Sequence, residues 1–261
     1  MTDVVVAGSG RCGLHVARML ADAGLEVTVV ERLPQVGGQE PERDARTLER
    51  AARRAGVTFM LGTLVVSYDD GVVQTLGIDG ASMLRVRALV LATGTRPQTR
   101  AELGIGGDRG AGVTPGSAAV HFLDSGLLLG RNPIVVGNGE LAHHLCDALL
   151  DKGAHRVLSV ASGPRIGDWS GITAIDNARV VRINGFPRVG SAVVATHDST
   201  QEIVTDAVIL ASGRIPMRNV EGALFPGDSI YDCFGERDPK TDEEAIQTAA
   251  ATARAVAGAI R

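Results

Sequence analysis

Three glycines and one acid near the start of the chain have a spacing that matters chemically. Gly8, Gly10 and Gly13 follow the pattern G-x-G-x-x-G, in which glycines permit a tight turn, the close approach of a pyrophosphate and the packing of a helix against a strand. Glu31 follows about twenty residues later, where a carboxylate can accept hydrogen bonds from ribose hydroxyls. The pattern predicts that this part of the chain binds the ADP half of a dinucleotide.

The elements predicted around this turn place it at the N-terminus of a helix. Residue periodicity predicts a strand, a helix and a second strand at Val4–Ala7, Arg11–Ala23 and Val27–Val30. Such a unit forms a right-handed parallel crossover. Backbone N–H groups and the dipole at the start of the helix favour the negative charge of a pyrophosphate. A glycine turn without a ligand is the alternative, and the position of Glu31 argues against it.

A second glycine turn lies in the middle of the chain, between a predicted strand at Ile134–Val136 and a predicted helix at Glu140–Lys152. It matches the version of the motif with alanine in third place, which suits NAD(P). The residues that would contact this nucleotide are Gly137, Asn138, Gly139 and Ala142. The next strand ends without an acid for a ribose, and only Arg165 is available for a 2′-phosphate. The sequence leaves open whether this turn binds NAD(P) or is kept for packing.

Composition indicates a globular protein and excludes several partners. The 261 residues are 44% hydrophobic but only 3% aromatic, so Val, Leu, Ile and Ala must build the core, which fits alternating strands and helices. Acidic and basic residues are interleaved at a net charge of −4, which leaves nucleic acid no basic stripe to follow. No apolar run approaches the roughly 20 residues that span a bilayer. We therefore expect a cytoplasmic protein without a membrane span.

The cysteines argue against two common roles. Cys12, Cys146 and Cys233 are far apart, and no C-x-x-C pair occurs. This arrangement predicts neither a disulfide framework nor a zinc site, and we expect no metal. Cys146 shares an apolar helical stripe and is predicted to pack in the core.

The order of these motifs resembles the two-dinucleotide-binding-domain flavoproteins, a pyridine nucleotide-disulfide oxidoreductase-like family that includes the glutathione and thioredoxin reductases. Within this family, the chain is most similar to the alpha-type subunits of sarcosine oxidase, opine oxidase, hydrogen cyanide synthase and hydroxyproline dehydrogenase. The resemblance covers nearly the whole chain. The segments that carry it are Val5–Gly13, Val29–Arg32, Gly37–Gln39, Leu91–Gly94, Val135–Ala142 and Gly227–Asp228.

The resemblance implies that FAD occupies the first site. The residues that would hold its ADP half are Gly8, Ser9, Gly10, Arg11, Cys12, Gly13, Glu31 and Arg32, with the backbone near Val65 meeting the adenine. The residues that would lie along the cofactor toward the flavin are Gly37, Gly38 and Gln39, with Ala92, Thr93 and Gly94 beside it. By the same resemblance, Gly227 and Asp228 would bond the ribityl chain or phosphate. The helix start around Ala245 and Ile246 would face the flavin and favour charge on its reduced form.

The implied fold is α/β, with a Rossmann-like FAD-binding domain built from two chain segments and a smaller NAD(P)-binding-like domain inserted between them. We expect residues 1–112 and 212–261 to form the FAD-binding domain, and residues 113–211 to form the inserted domain. The segment after Gly38 is short compared with the family's larger members, and the inserted domain is trimmed.

The resemblance implies an FAD-dependent oxidoreductase, the alpha-type subunit of a complex that oxidises amino or imino acids. Its partners would be a beta-type flavoprotein subunit and a small-molecule substrate. Two alternatives stay open: a self-contained NAD(P)H-dependent flavin, quinone or disulfide-type reductase, and a non-catalytic scaffold that holds FAD or ADP. Cys233 is the one thiol candidate for catalysis, because it falls near the expected position of the flavin's redox end.

Overall fold

A computed structural model of the chain describes residues 2–38, 42–163, 171–217, 226–233 and 241–260, together with Arg165, Trp169 and Leu224. The chain divides into two compact units. The first unit comprises Met1–Thr95 and Pro216–Arg261, and the second unit comprises Arg96–Ile215.

Strands and helices alternate along the described chain. The first unit opens with β1 (Val4–Ala7), α1 (Arg11–Asp22), β2 (Val27–Val30), α2 (Glu42–Arg54), β3 (Thr58–Met60), β4 (Leu64–Asp69), β5 (Val72–Gly77), β6 (Gly80–Arg85) and β7 (Ala88–Leu91). The chain then continues through β8 (Thr95–Pro97), β9 (Gly106–Gly107), β10 (Val113–Pro115), α3 (Gly116–Asp124), β11 (Ile134–Val136), α4 (Glu140–Asp151), β12 (Leu158–Val160), β13 (Thr173–Ile175), β14 (Arg179–Asn184), β15 (Ser191–Ala195), β16 (Thr200–Val204), β17 (Val208–Leu210) and β18 (Arg214–Pro216). The first unit ends with β19 (Ile230–Asp232) and α5 (Asp242–Ile260).

The first unit is built on a five-stranded parallel sheet with the order β3-β2-β1-β7-β19. The strands β1, β2 and β7 are buried at every residue, as expected of parallel strands that are covered on both faces. The register aligns Ala7 with Val30 and with Leu91, so these three strands end together. Residues that follow them therefore lie along one edge of the sheet.

Successive residues of β1 point into two different cores, because side chains alternate across a strand. Val4 and Val6 pack with α1 and α5 on one face of the sheet. Val5 and Ala7 pack on the other face, with residues of the antiparallel sheet β4-β5-β6. Among the described helices, none combines the length and apolar character needed to cross a bilayer.

The second unit repeats this plan. Its parallel sheet has the order β10-β17-β11-β12-β13, and an antiparallel sheet of β14, β15 and β16 accompanies it. Ile134 and Val136 of β11 pack in the core formed with the antiparallel sheet, whereas Val135 packs with α3 and α4. The two units are thus separate versions of one α/β design, as the repeated glycine turns predict.

Residues 96–112, which the sequence predicts to belong to the first domain, pack within the second unit. The short strand β9 pairs with β14, and Ile105 is buried in the core that contains Ile183. The N–H of Ala111 donates to the carbonyl of Pro187 at 2.8 Å. Because this segment is rich in glycine and lacks a regular apolar period, its sequence carries no sign of the element it packs against.

The last helix begins at a side-chain cap. The hydroxyl of Thr241 accepts a hydrogen bond from the N–H of Glu244 at 3.2 Å, as the spacing of a capping box predicts. Thr241→Ala removes this acceptor and should lower the free energy of unfolding by about 1 kcal/mol, whereas Thr241→Ser should not. Urea denaturation of both variants measures the difference. Equal stability of the alanine variant and the wild type would contradict a role for the cap.

Candidate functional site

The carboxyl edge of the first sheet brings together residues from four separate strands. The N–H of Gly8 donates to the carbonyl of Val30 at 2.8 Å, and the N–H of Ala92 donates to the carbonyl of Ala7 at 2.8 Å. The N–H of Cys233 donates to the carbonyl of Leu91 at 2.9 Å. Gly8, Ala92 and Cys233 therefore line the edge at which parallel α/β sheets bind ligands.

Two glycines of the first turn are required by packing within the protein. Gly8 has a φ of +104°, and a Cβ there would overlap the carbonyl oxygen of Ala92. A Cβ on Gly13 would overlap the carbonyl oxygen of Gly8. These two positions explain how β1, the turn and α1 approach one another so closely, and they say nothing by themselves about a ligand.

Gly10 is different, because nothing in the described part of the protein demands a glycine there. Its φ of −68° is open to any residue, and a Cβ would meet no described atom within 4 Å. Gly10 is the N-cap of α1, and the first turn of this helix carries no acid. The absent side chain leaves space over a positively polarised helix end, which fits a pyrophosphate.

Glu31 follows β2 and is buried against the turn. Its Oε2 accepts hydrogen bonds from the N–H of Ser9 at 2.8 Å and from the Ser9 hydroxyl at 2.7 Å. Its Oε1 accepts the N–H of Leu33 at 2.8 Å. A carboxylate has about four acceptor positions, and three are used here, so the held group keeps capacity for one ribose hydroxyl. The structure therefore places Glu31 and the turn in one cluster, as a ribose anchor requires.

The loop after Glu31 returns to the glycine turn. The N–H of Gly37 donates to the Ser9 carbonyl at 3.0 Å and to the Ser9 hydroxyl at 3.2 Å. A Cβ on Gly38 would lie 3.8 Å from the Cα of Gly10. Arg32 is exposed, and Gln39 lies outside the described residues. Gly37 and Gly38 thus join the cluster.

The turn after β7 adjoins the same cluster. A Cβ on Gly8 would lie 3.1 Å from the Cα of Thr93. The hydroxyl of Thr93 donates to the carbonyl of Met217, and the N–H of Met217 donates to the carbonyl of Gly94 at 2.8 Å. This pairing fixes the turn through a residue 124 positions away in sequence. The sequence shows no sign of that contact.

Val65 also lies close to Glu31 along the fold. The N–H of Thr63 donates to the carbonyl of Glu31 at 2.9 Å, and Val65 follows in β4 with its side chain buried in the core. Its backbone is therefore near the expected adenine end, and contact with adenine stays a prediction.

The structure corrects the roles of Gly227 and Asp228. They precede β19, which runs parallel to β7, and the carbonyl of the next residue, Ser229, accepts the N–H of Leu89 at 2.9 Å. Gly227 and Asp228 therefore lie at the amino end of the sheet, whereas the glycine turn lies at the carboxyl end. A short G-D match in sequence cannot show on which side of a strand it falls, and this pair cannot bond a cofactor bound at the turn.

The start of α5 extends past the carboxyl edge of the sheet. Thr252 contacts the carbonyl of Asp232 at the end of β19, at 3.5 Å, and about ten helical residues precede it, or about 15 Å. Ala245 is buried and Ile246 is 40% exposed. Glu243 and Glu244 stand in the first turn, where their charges offset the positive end of the helix dipole. The dipole of α5 should therefore stabilise negative charge on a reduced flavin less than the resemblance implies.

Cys233, the thiol candidate for catalysis, contacts Cys12 rather than an open site. The two thiols form a hydrogen bond, and this bond, together with burial, raises the pKa of Cys233. Cys233 is 5% exposed and belongs to the core beneath α1. A buried thiol held protonated is a poor nucleophile. No sequence signal links these cysteines, which meet only because β19 ends beside the start of α1.

The three cysteine thiols should therefore differ in their reactivity toward an alkylating reagent. Burial raises the pKa of Cys146 to about 12, and the pKa of Cys233 is raised too, so both stay protonated at pH 8. Cys12 is only half-buried. Brief treatment of the folded protein with iodoacetamide at pH 8 should modify Cys12 alone, whereas denatured protein should gain an adduct at every cysteine. Peptide mass spectrometry locates the adducts, and modification of Cys146 in folded protein would contradict this assignment.

The second glycine turn reproduces the backbone geometry of the first. The N–H of Gly137 donates to the carbonyl of Val160 at 2.9 Å, and the N–H of Ala211 donates to the carbonyl of Val136 at 2.8 Å. A Cβ on Gly137 would overlap the carbonyl oxygen of Ala211. Gly139 is the N-cap of α4, and within the described ranges no atom lies within 4 Å of a Cβ placed on it. The second turn therefore has the same open position as the first.

The ribose end of the second turn differs from that of the first. Ala161 follows β12 as Glu31 follows β2, so a carboxylate is replaced by a buried methyl group. Arg165 is paired with Asp176, and its guanidinium lies 5.1 Å from the centre of the Trp169 ring. A 2′-phosphate would therefore compete with Asp176 for this arginine. Ala142 is fully buried, and Asn138 lies beside Gly163.

Two side chains of α4 that could take part in chemistry, Cys146 and His143, pack against other residues. Cys146 is fully buried in its core stripe, as predicted. His143 packs edge-on against Trp169 with ring centres 5.1 Å apart. In the part of the chain that the structure describes, no group of three or more His, Cys, Asp or Glu side chains is arranged to hold a metal ion.

Comparison with known sequences identifies relatives of part of the chain. The sequence profile described as pyridine nucleotide-disulphide oxidoreductase matches residues 2–116. Dihydrolipoyl dehydrogenase of Mycobacterium tuberculosis is 32% identical over 99 residues, which are 36% of this chain and 21% of that protein. The NADH-dependent phenylglyoxylate dehydrogenase subunit epsilon of Aromatoleum evansii is 32% identical over 113 residues, 42% of this chain and 27% of that one. The chain thus matches only about a fifth to a quarter of the length of these relatives.

A longer match reaches into the second unit. Ferredoxin–NADP reductase of Salinispora tropica is 28% identical over 244 residues, covering 81% of this chain and 73% of that protein. Among solved structures, thioredoxin reductase of Lactococcus lactis matches with a TM-score of 0.64 at 15% identity, over 100% of this chain and 99% of that chain. Bacillithiol disulfide reductase of Bacillus cereus matches with a TM-score of 0.66 at 18% identity, over 98% and 99% of the two chains.

These matches agree with the two-unit design and the two glycine turns. At identities below a quarter, the structural likenesses show the fold alone, and the family likeness rests on the sequence match to residues 2–116. Residues 2–116 are thus similar to the pyridine nucleotide-disulphide oxidoreductase family, for which FAD and NAD(P) are typical cofactors, and the fold of the chain is thioredoxin-reductase-like.

Proposed function

We propose that this protein is an NAD(P)H-dependent flavoprotein reductase, with FAD at the first glycine turn and NAD(P)H at the second. The observation that carries the proposal is the repeated open N-cap glycine. Gly10 and Gly139 occupy matching positions, and neither is required by contacts among the described residues. Two such turns on one chain fit a protein that binds two dinucleotides.

The chain's own residues would bind and orient the cofactors in this proposal. The starts of α1 and α4 would hold the two pyrophosphates, and Glu31 would hold the ribose of FAD. Bound FAD would supply the redox chemistry, by accepting electrons from NAD(P)H and passing them on. The role of the protein is then to position the two nucleotides and to select the acceptor.

The electron acceptor in this proposal is a small molecule or a separate protein. No C-x-x-C pair occurs in the sequence, and Cys233 is buried in the core, where its thiol is hydrogen-bonded to that of Cys12. Electrons would therefore leave the flavin directly, without a dithiol of this chain as relay. The ferredoxin–NADP reductase likeness, which spans most of the chain, supports this reading over a disulfide reductase.

Anaerobic addition of NADH or NADPH to the purified, FAD-loaded protein tests the proposal. The visible flavin absorbance should bleach with at least one of the two nucleotides. Dithionite provides the control, because it reduces accessible flavin without a nucleotide site. Bleaching by dithionite but by neither nucleotide would contradict the proposed reductase.

A second candidate is a subunit of a larger dehydrogenase, as the resemblance to alpha-type subunits implies. Two observations favour it. The epsilon subunit of phenylglyoxylate dehydrogenase, a relative over 42% of this chain, is itself part of a larger enzyme by its name. Ala161 stands where Glu31 stands in the first unit, so the second turn lacks a ribose anchor.

Reconstitution with the product of a neighbouring reading frame separates the two candidates. If the protein is a subunit of a dehydrogenase that oxidises amino or imino acids, these substrates should reduce its flavin only when the second protein is present. If the protein is the proposed reductase, NAD(P)H should reduce the flavin without the second protein. Bound FAD that responds to neither treatment, nor to dithionite, would instead indicate a scaffold.

A further inference from the structure

The hydroxyl of Ser9 occupies an unusual position between two parts of the first site. It donates to Oε2 of Glu31 at 2.7 Å and accepts the N–H of Gly37 at 3.2 Å. Ser9 is fully buried and Glu31 is 7% exposed, so water does not replace these bonds easily. One side-chain oxygen thus joins the ribose anchor to the loop that leads toward the flavin.

Glu31 and Gly37 would each lose one hydrogen bond without the Ser9 hydroxyl. Glu31 is a buried carboxylate, and hydrogen bonds to the charged form offset the cost of burying it. Without the Ser9 hydroxyl, Oε2 keeps only the N–H of Ser9 at 2.8 Å. Gly37 keeps the Ser9 carbonyl at 3.0 Å. Both the carboxylate and the loop would be held less firmly.

We infer that Ser9 is a positioning residue that couples the ADP-ribose anchor Glu31 to the loop at Gly37 and Gly38, so that FAD is bound as a whole rather than through its ADP half alone. This inference rests on the proposed function only in that FAD must bind the first turn. ADP would occupy the glycine turn and reach Glu31, but would not extend along the loop. FAD would use both.

The proposed coupling predicts that a change at Ser9 weakens FAD binding more than ADP binding. Ser9→Ala should weaken FAD binding about tenfold or more, because Glu31 and the loop are then no longer held in position for the ligand, and should weaken ADP binding less. Thr75→Val is the matched control, because it removes another buried hydroxyl of the same unit, which bonds the carbonyl of Ser82 in the antiparallel sheet. That variant should bind both ligands as the wild type does.

Isothermal titration of FAD and of ADP into the full-length apoprotein provides the measurement, with melting temperatures recorded for every variant. If Ser9 acts partly through Glu31, adding Ser9→Ala to Glu31→Gln should weaken ADP binding no further. It should still weaken FAD binding, because the bond to Gly37 is lost as well. This pattern of couplings would not arise from a general loss of packing.

The titrations distinguish failure of the coupling through Ser9 from failure of FAD binding at the first turn. A larger loss for FAD than for ADP, together with non-additivity for ADP, supports the coupling. Equal losses for both ligands, additive with Glu31→Gln, would overturn it and leave FAD binding at the first turn intact. A wild-type protein that binds neither ligand would overturn both this inference and the proposed function.

Discussion

Gly10→Ala should weaken FAD binding severely while the protein folds normally. The φ of −68° at Gly10 suits alanine, and alanine at an N-cap costs at most about 1 kcal/mol relative to glycine. The new methyl group would stand where the pyrophosphate approaches the helix. Each hydrogen bond to a charged group contributes about 1.5–3 kcal/mol, so displacing the pyrophosphate should lower FAD affinity by about 100-fold or more. Titration with FAD and urea denaturation of the apoprotein measure the two effects.

Gly13→Ala is the natural comparison, because the same change should act through the fold instead. A Cβ on Gly13 would overlap the carbonyl oxygen of Gly8, and overpacking of this kind costs about 1–3 kcal/mol. Stability and FAD binding should fall together in that variant. If Gly10→Ala were equally destabilised, or bound FAD normally, the open position at Gly10 would have no role in binding.

Gly139→Ala should remove the response to NAD(P)H while leaving FAD in place. Gly139 has a φ of −94° and heads α4 as Gly10 heads α1, so alanine should be tolerated by the fold. The methyl group would exclude a pyrophosphate at the second turn, and flavin bleaching by NADH or NADPH should slow by about 100-fold or more. Stopped-flow absorbance under anaerobic conditions gives the rate.

The FAD content of this variant serves as its control. It should equal that of the wild type, because Gly139 belongs to the second unit. Unchanged reduction by NAD(P)H would mean that the second turn is a packing element, which the sequence alone leaves open. It would also favour the subunit reading of the protein over the reductase.

Local sequence signals predicted most of the first site. The strands at Val4–Ala7 and Val27–Val30 and the start of α1 at Arg11 match the structure, because glycine and apolar periodicity mark them strongly. Glu31 falls at the expected strand end and meets the turn through Ser9. These features are local in sequence or belong to one crossover, so their geometry follows from chain connectivity.

Features that depend on distant pairing were not predictable in this way. Cys12 meets Cys233, and Thr93 meets Met217, only because strands far apart in sequence lie side by side. A two-residue match predicts Gly227 and Asp228 at the site, although β19 follows them and carries the chain to the carboxyl edge afterwards. A motif this short has no element of its own to fix its position.

If the turn from Gly8 to Gly13 binds FAD, the protein should carry this cofactor, and identifying the bound cofactor tests that assignment. Heat denaturation of the purified full-length chain, followed by mass spectrometry and absorbance of the released material, gives its identity and amount. We expect FAD close to equimolar with the wild-type chain and almost none with Gly10→Ala. Absence of FAD from the wild-type protein even after incubation with FAD, or equal amounts in both proteins, would contradict it.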